Sequence, residues 1–332
     1  MKKAYFLIPF VTLLILTSSS CKKDDGVQLI PPRDRAEESI EAQAKIEAFL
    51  ETHFYNYEEF ENPPADFDYV IKFDSLIGDN ATKIPLIDQV SSKEVLDRLN
   101  NDIVYKLYYL SVIEGGGERI QFPDVGTMAY EGRLLDNSLF DGSVAPVRFD
   151  LTGIIDGLQD GLIEFNTAVG DPIVNPDGTI EFEDYGVGAV FIPSGLGYFS
   201  SPPPGSLIGV YSQLIFTFKL YKAEMGDQDG DGIPSILEDL NNNKMEEDDD
   251  TDSDLNPNFA DVDDDNDGRL TKDEIIVNTY IISAGDPDPI YADNEVEISR
   301  EVDDTNGEIT ITTITFTDQD NDGTADYLDK DN

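Results

Sequence analysis

Acidic side chains in the C-terminal part of the chain are spaced as ligands of a metal ion. Between residues 263 and 274, aspartates alternate with other residues, a glycine follows at the sixth position and a glutamate closes the segment at the twelfth. Carboxylates at positions 1, 3 and 5 converge on one Ca²⁺, the glycine permits the turn, and the acid at position 12 completes the coordination. The predicted ligands are Asp263, Asp265, Asp267, Thr271 and Glu274.

Two further segments repeat this pattern, each with glycine at the sixth position. One begins at residue 227 and the other at residue 318. Two degenerate copies, at 239–250 and 250–261, carry Lys244 and Leu255 in place of the glycine, so they fit calcium less well. The predicted ligands of the two complete copies are Asp227, Asp229, Asp231 and Glu238, and Asp318, Asp320, Asp322 and Asp329.

The loops between residues 227 and 261 follow one another without room for the flanking helices of EF-hands. Their tandem spacing resembles thrombospondin type 3 repeats, and the resemblance implies a segment in which calcium replaces a hydrophobic core. The alternative is a solvated acidic spacer without bound ions. Alternating residues at 295–302 and 308–316, around Asn306-Gly307, predict a β-hairpin that interrupts the array.

The whole chain is strongly acidic. Its 69 aspartates and glutamates against 22 lysines and arginines give a formal net charge of −47 over 332 residues. Such a charge repels nucleic acid and attracts cations, so we expect no nucleic-acid partner. With 39% hydrophobic residues, the chain can still build at least one full-sized core.

The N-terminus has the order of a bacterial export signal. Two lysines precede an apolar run from Ala4 to Leu16, and small residues lead to Cys21, the only cysteine of the chain. A lone cysteine at this place resembles the acylated cysteine of bacterial lipoproteins, and Lys23-Asp24-Asp25 is similar to the export signal of Bacteroidetes surface lipoproteins. These resemblances imply an exported protein anchored to the outer membrane through lipid on Cys21, at its periplasmic face or on the cell surface. Ordinary signal cleavage is the alternative.

Residues 35–103 are predicted to form an α-rich extension. Asp34 and Glu37 have the spacing of a capping box, and apolar residues from Ala42 to Phe54 recur on one helical face, which predicts a helix over roughly 35–54. A second N-cap at Ser91-Ser92, ahead of apolar residues beginning at Val95, predicts another helix.

Between residues 104 and 223 the pattern is that of β-strands. Strands are predicted at 104–112, 128–135, 147–151, 190–193 and 213–221, with a hairpin at 171–180. One short helix is predicted over 156–165, and packing against a sheet must hold it because Gly157 and Gly161 lower its intrinsic helicity. The predicted fold class is α+β, an antiparallel sheet wrapped around one short helix, with an N-terminal helical extension and a calcium-loop tail.

Five blocks of this region resemble FKBP-type peptidyl-prolyl cis–trans isomerases, in consistent order. They are Phe122-Pro123, residues 130–141, residues 154–162, residues 192–198, and Ile208 with residues 214–220. The resemblance implies an FKBP-like domain that isomerises Xaa-Pro bonds of exported polypeptide clients and needs no cofactor for catalysis. The resulting organisation is a signal peptide at 1–20, a linker at 21–34, the extension at 35–103, the isomerase domain at 104–223 and the acidic tail at 225–332.

The same resemblance implies a prolyl pocket with aromatic walls. Asp141 would hold polar groups at its rim, the hydroxyl of Tyr198 would donate to a substrate carbonyl, and the backbone amide of Ile155 would bind another. Outside this ordered pattern, an aromatic residue on a strand is more often part of a core. The predicted site residues are Tyr130, Phe140, Asp141, Ile154, Ile155, Leu158, Tyr198, Ile208 and Phe216.

Three positions depart from the family pattern. Leu158 stands where many members carry a tryptophan, Val147 replaces an aromatic residue, and Phe199 replaces a glycine. Because the chain contains no tryptophan, the pocket floor is expected to be aliphatic. Two alternatives to an isomerase follow: a non-catalytic chaperone or binding module that keeps the fold, and a structural surface protein that works through its calcium tail.

Overall fold

The computed structural model describes residues 31–303 and 305–331. Cys21 and the predicted signal sequence lie outside these residues. The elements in chain order are α1 (Arg35–Thr52), β1 (His53–Tyr55), α2 (Tyr57–Glu61), β2 (Phe73–Ser75), β3 (Ser91–Asp97), β4 (Asn100–Ile113), β5 (Val125–Leu134), β6 (Leu139–Asp150), α3 (Asp156–Leu162), β7 (Val169–Val174), β8 (Ile180–Glu183), β9 (Gly186–Ile192), β10 (Leu214–Glu224), β11 (Ile275–Ser283), β12 (Glu295–Asp303) and β13 (Glu308–Phe316).

Six of these strands form one antiparallel sheet in the order β3-β4-β9-β10-β5-β6. Strands β1 and β2 form a small antiparallel pair, as do β7 and β8, which surround the predicted Asp177-Gly178 turn. The chain is therefore a mixed α and β structure with antiparallel sheets and few helices, in agreement with the predicted class. In the described part of the chain, no helix has both the length and the apolar character needed to cross a membrane.

Strand β9 is buried along its whole length. Its residues alternate between two cores: Val190 and Ile192 pack with α3 on one face of the sheet, whereas Ala189 and Phe191 pack with α1 on the other. A strand covered on both faces consists of apolar residues and glycine throughout, because neither face meets water. The two cores therefore lie back to back.

Helix α3 lies against β9 at a distance that only glycine allows. A Cβ atom on Gly157 would lie 2.4 Å from the side chain of Ile192, and one on Gly161 would lie 2.4 Å from that of Val190. The glycines that weaken the isolated helix thus permit its close approach to the sheet, where packing replaces intrinsic helicity.

Helix α1 covers the second face of the sheet. Asp34 caps it by accepting a hydrogen bond from the backbone N–H of Glu37, as the sequence predicted. Its apolar residues Ile46, Phe49 and Leu50 are buried in the core with β4, β9 and β10. The helix is therefore part of the sheet's packing and not a separate appendage.

The helix predicted after Ser91 is wrong, because residues 91–97 form strand β3. They pair with β4 from Ser91↔Tyr109 to Leu96↔Val104. Val95 is buried whereas Leu96 is 43% exposed, the alternation of a strand. The six-stranded sheet consequently begins at Ser91, inside the range predicted to be α-rich. Hydrogen bonding to the edge of β4 outweighs the local helical preference of these residues.

The β insertion of the tail has three strands where the sequence predicted two. Strand β11 joins the predicted hairpin, and β13 lies in the centre of the order β11-β13-β12. A small apolar cluster of Ile233, Ile275, Ile314 and Tyr327 joins this sheet to the first and last predicted calcium loops. A third antiparallel strand gives the hairpin a neighbour on its second side, which an isolated pair lacks.

Candidate functional site

The structure brings all nine predicted pocket residues together around one cavity of about 620 Å³. They come from β5, β6, β10, the start of α3 and the segments that follow β9, so six stretches of chain must be folded to form it. Leu158, Ile208 and Phe216 are buried at its base, and Asp141 is exposed at its mouth. The other residues that line the cavity are Phe149, Gly153, Asp156, Gly197, Pro203 and Ser206.

The cavity wall is aromatic. The ring of Tyr130 meets that of Phe149 edge to face at 5.1 Å, and the ring of Phe140 meets that of Phe216 in the same manner at 5.6 Å. Gly132, which pairs with Asp141 next to Phe140, leaves room for the Phe140 ring, since a Cβ on Gly132 would lie 2.5 Å from it. These ring-to-ring contacts within the wall hold the aromatic side chains in place.

Phe149 is a pocket residue that the sequence reasoning missed. Val147, which was compared with the family's aromatic position, does not line the cavity, whereas Phe149 does. The two residues are separated by two positions on β6, whose register shifts between Met128 and Tyr130 of the neighbouring strand. Strand alternation could have suggested Phe149, but the contact of its ring with that of Tyr130 on the neighbouring strand is a tertiary feature.

Among the predicted pocket residues, the polar side chains are two tyrosines and the carboxylate of Asp141. The hydroxyl of Tyr130 donates to Oδ2 of Asp141 at 2.8 Å. Burial, followed by this hydrogen bond, raises the pKa of Tyr130 to about 12. Burial and then the charge of Asp141 also raise the pKa of Tyr198 above its usual value. Both hydroxyls are therefore protonated donors near neutral pH.

Phe199 adopts a left-handed backbone conformation with φ of +46°. Glycine is the residue that favours this conformation, so a phenylalanine there needs compensation. The guanidinium of Arg35, on α1, lies 4.4 Å from the centre of the Phe199 ring, and Tyr211 packs edge to face on it at 5.0 Å. Phe199 directly follows Tyr198 in the chain, so these contacts also hold the backbone next to Tyr198.

Arg35 links the start of α1 to this wall of the pocket. Its guanidinium donates to the backbone carbonyl of Gly195 at 2.9 Å and pairs with the fully buried carboxylate of Asp97 at 2.6 Å. Asp97 also accepts a hydrogen bond from the hydroxyl of Tyr105 at 3.1 Å. The N-terminal extension therefore supports the segment that carries Tyr198. No motif in the sequence indicated this role of Arg35.

The acidic tail packs against the pocket helix. The side-chain amide of Gln159, on α3, donates to Oε1 of Glu246 at 2.8 Å, and Glu246 is buried. Arg98 lies between the two parts, 3.5 Å from the carboxylate of Asp156 and 2.9 Å from that of Glu247. The degenerate loop at 239–250 is thus a contact surface for α3.

Four groups of carboxylates in the described residues have oxygens within 4.8 Å of one another, at distances suited to a shared cation. Three of the groups match predicted loops, and the group at 250–254 lies in a degenerate copy that lacks the glycine. Asp239 of the other degenerate copy instead accepts hydrogen bonds from the backbone of Asn243 and Lys244. The groups are Asp229, Asp231, Glu238 and Asp264; Asp250, Asp252 and Asp254; Asp263, Asp265 and Asp267; and Asp318, Asp320 and Asp322.

Four predicted ligands lie outside these groups. The carboxylate of Asp227 accepts from the backbone N–H of Gly230, and that of Asp329 accepts from Asp331. The hydroxyl of Thr271 accepts from the backbone N–H of Asp264 at 3.3 Å. Glu274 lies 3.2 Å from the guanidinium of Arg269. Asp264, at the second position of its loop, was not predicted.

Comparisons with known proteins find a similar family of enzymes and one family model that matches part of the tail. The chain is similar to FKBP-type peptidyl-prolyl isomerases: it is 32% identical over 119 residues to the probable FKBP-type peptidyl-prolyl cis-trans isomerase FkpA of Neisseria meningitidis serogroup B. The match covers 35% of this chain and 37% of that protein, so the chain spans little more than a third of the relative's length. A family model described as BamM C-terminal matches residues 228–299, which include none of the pocket residues.

Two solved structures are also similar. The crystal structure of FkpA from Escherichia coli is 28% identical, over 36% of this chain and 48% of that one, with a TM-score of 0.29. A peptidyl-prolyl cis-trans isomerase from Pseudomonas syringae pv. tomato is 17% identical, over 56% of this chain and 96% of that one, with a TM-score of 0.32. At these TM-scores the two structures support no inference about the site.

The Arg35→Ala variant should lose about 3 kcal/mol of unfolding free energy, because it leaves the buried carboxylate of Asp97 without its cation. The matched control is Lys45→Ala on the same helix, where Lys45 pairs with Glu41 at 2.7 Å on the exposed surface. We expect that change to cost less than about 1 kcal/mol. Urea unfolding followed by circular dichroism measures both, and equal shifts of the two midpoints would contradict the buried-pair argument.

Proposed function

We propose that this protein is a peptidyl-prolyl cis–trans isomerase that acts on Xaa-Pro bonds of exported polypeptides. The observation that supports the proposal is the convergence of nine side chains, from six stretches of chain, on one aromatic-walled cavity. The similarity to FKBP-type isomerases covers part of the chain and agrees with it.

The chemistry requires no nucleophile and no cofactor. An Xaa-Pro bond has a small preference between cis and trans but a rotational barrier of about 18–20 kcal/mol, since rotation breaks amide resonance. The twisted amide has lost charge separation, so an apolar pocket binds it better than the planar, more polar ground state. Rings of Tyr130, Phe140, Phe149 and Phe216 would surround the proline, and Leu158 supplies an aliphatic floor.

Polar groups at the rim would orient the peptide. The hydroxyl of Tyr198, which is protonated at neutral pH, would donate to a substrate carbonyl. The backbone N–H of Ile155, just ahead of α3, would donate to a second carbonyl. Asp141 holds the Tyr130 hydroxyl in place through the 2.8 Å hydrogen bond. Two donors at fixed positions reduce the freedom of the bound amide.

A non-catalytic chaperone or binding module is the competing function. The aliphatic floor at Leu158 favours it, because an aliphatic side chain contacts a proline ring over less area than an indole does. Such a module would bind proline-containing segments in the same cavity without accelerating their rotation.

The wild-type protein should accelerate cis-to-trans exchange of short Xaa-Pro peptides, and Tyr130→Ala and Asp141→Ala should each lower kcat/KM tenfold or more, about 1.4 kcal/mol of transition-state stabilisation. Exchange is measured by two-dimensional NMR at neutral pH. The control is Val144→Ala, since Val144 lies on the same strand as Asp141, is 96% exposed and does not line the cavity.

Binding of the peptides by the wild type without faster exchange would favour the chaperone module. Equal activity of Val144→Ala and both pocket variants would reject the cavity as the site of catalysis.

We also propose that the acidic tail binds calcium. The support is the burial of carboxylate oxygens that have no hydrogen-bond partner, among them both oxygens of Glu238 and one each of Asp263, Asp265 and Asp318. A buried, unpaired carboxylate is costly, and a cation coordinated by it removes that cost. All ligands are hard oxygens, which suit Ca²⁺.

Calcium added to the chelator-stripped full-length protein should give heat of binding and raise its stability, by about 2.7 kcal/mol at a free concentration one hundred times the dissociation constant. Isothermal titration and thermal unfolding measure the two effects, with Mg²⁺ as the control cation that demands stricter octahedral geometry. Absence of calcium heat together with an unchanged melting temperature would make the tail an acidic spacer.

Export and lipid attachment at Cys21 complete the proposal and rest on the sequence, because Cys21 lies outside the described residues. Labelled fatty acid fed to expressing cells should be incorporated into the wild type and not into Cys21→Ser. Equal labelling of the two proteins, or none of either, would reject the anchor to the outer membrane.

A further inference from the structure

Asp264 lies between two predicted ligands of its own loop, yet its carboxylate belongs to the group of another loop. Asp263, Asp265 and Asp267 converge with one another, whereas the oxygens of Asp264 lie within 4.8 Å of ligands from residues 229–238. Asp264 and Asp265 are the central residues of a turn, which the backbone N–H of Asn266 closes by donating to the carbonyl of Asp263 at 3.0 Å. The hydroxyl of Thr271 accepts a hydrogen bond from the backbone N–H of Asp264 and holds that backbone in place.

The group that contains Asp264 is the most deeply buried of the four. Glu238 is 1% exposed, Asp264 is 2% exposed and Asp231 is 3% exposed. Both carboxylate oxygens of Glu238 and of Asp264 are buried without a hydrogen-bond partner, as are Oδ2 of Asp229 and Oδ2 of Asp231. Six buried oxygens in one small space therefore have no donor.

Nothing in the described residues neutralises this group. The salt bridges of the described residues include none of these four carboxylates. The neighbouring side chains are apolar or aromatic: Ile233, which follows Asp231 by two residues, is fully buried, and Tyr327, in the same apolar cluster, is 4% exposed. Burying four carboxylates together without a counter-ion would cost several kcal/mol for each.

The chemistry of the donors selects the ion. Carboxylate oxygens alone favour hard divalent cations, and six or more flexible oxygen donors suit Ca²⁺ better than Mg²⁺, which retains several waters in a strict octahedron. The remaining negative charge of the group also favours a divalent over a monovalent ion.

We propose that Asp229, Asp231, Glu238 and Asp264 form one composite Ca²⁺ site that cross-links the loop at 227–238 to the loop at 263–274. This inference rests on the proposed binding of calcium by the tail and assigns it a ligand from a second loop. The ion ties together two loops that the intervening degenerate copies separate in sequence. It lies beside the apolar cluster of Ile233, Ile275 and Tyr327, so the three-stranded sheet is held at the same junction.

The Asp264→Asn variant tests the site by calorimetric titration of CaCl₂ into the chelator-stripped full-length protein. We expect the stoichiometry to fall by one ion, or the affinity for one ion to fall roughly tenfold or more, since ligand charge sets the affinity of such sites. The matched control is Asp273→Asn, which removes the same charge from an exposed position of the same loop that belongs to none of the four groups. This control should bind as the wild type does.

A double-mutant comparison identifies the loop that Asp264 serves. Glu238→Gln with Asp264→Asn should lose the same single ion as either change alone, because both residues contact one ion. Asp265→Asn with Asp264→Asn should lose two ions. Circular dichroism and thermal unfolding of each variant establish that it is folded.

Two results would overturn the inference while leaving calcium binding intact: Asp264→Asn binding as Asp273→Asn does, or two ions lost when Glu238 and Asp264 are changed together. A wild-type protein that takes up no calcium would overturn both this site and the proposed role of the tail.

Discussion

The burial of β9 on both faces is the constraint on which the rest of the structure depends. One face needs α3, and the glycines of α3 bring it so close to β9 that the segment ahead of the helix forms part of the cavity. The other face needs α1, whose first residue reaches the segment that carries Tyr198. Because interiors are closely packed, a change on either face of β9 is transmitted to the pocket.

The region around the six-stranded sheet and the acidic tail differ in the kind of side chain that they bury. Around β9, apolar side chains exclude water and the polar groups are few and mostly partnered. In the tail, the apolar cluster is small, and the buried groups are largely carboxylates with unpartnered oxygens. The cations that we propose for these carboxylates would add the stability that the small apolar cluster does not supply.

These two regions meet at α3. Gln159 hydrogen-bonds to the buried Glu246, while Arg98 lies among carboxylates of the helix and the tail. The residues that precede and begin this helix also line the cavity. The tail is therefore in contact with the element that supplies Ile155 and Leu158 to the pocket, and the acidic segment packs as part of the same unit as the sheet.

The sequence by itself determined the features that depend on local spacing. The cap at Asp34, the strands of the central region, the short glycine-containing helix and the aspartates at alternate positions of each loop follow from periodicity and from turn chemistry. The order of the five blocks also placed nine residues that the fold brings to one cavity.

The tertiary structure decided what depends on neighbours far apart in the chain. Residues 91–97 form a strand because they pair with β4, and Phe149 lines the pocket with its ring against that of Tyr130 on β5. Arg35 contacts Phe199, which is more than 150 residues away in the chain. Asp264 lies with carboxylates of the loop at 227–238, which is more than 20 residues away. No local spacing encodes such partners, because packing fixes which segments lie side by side.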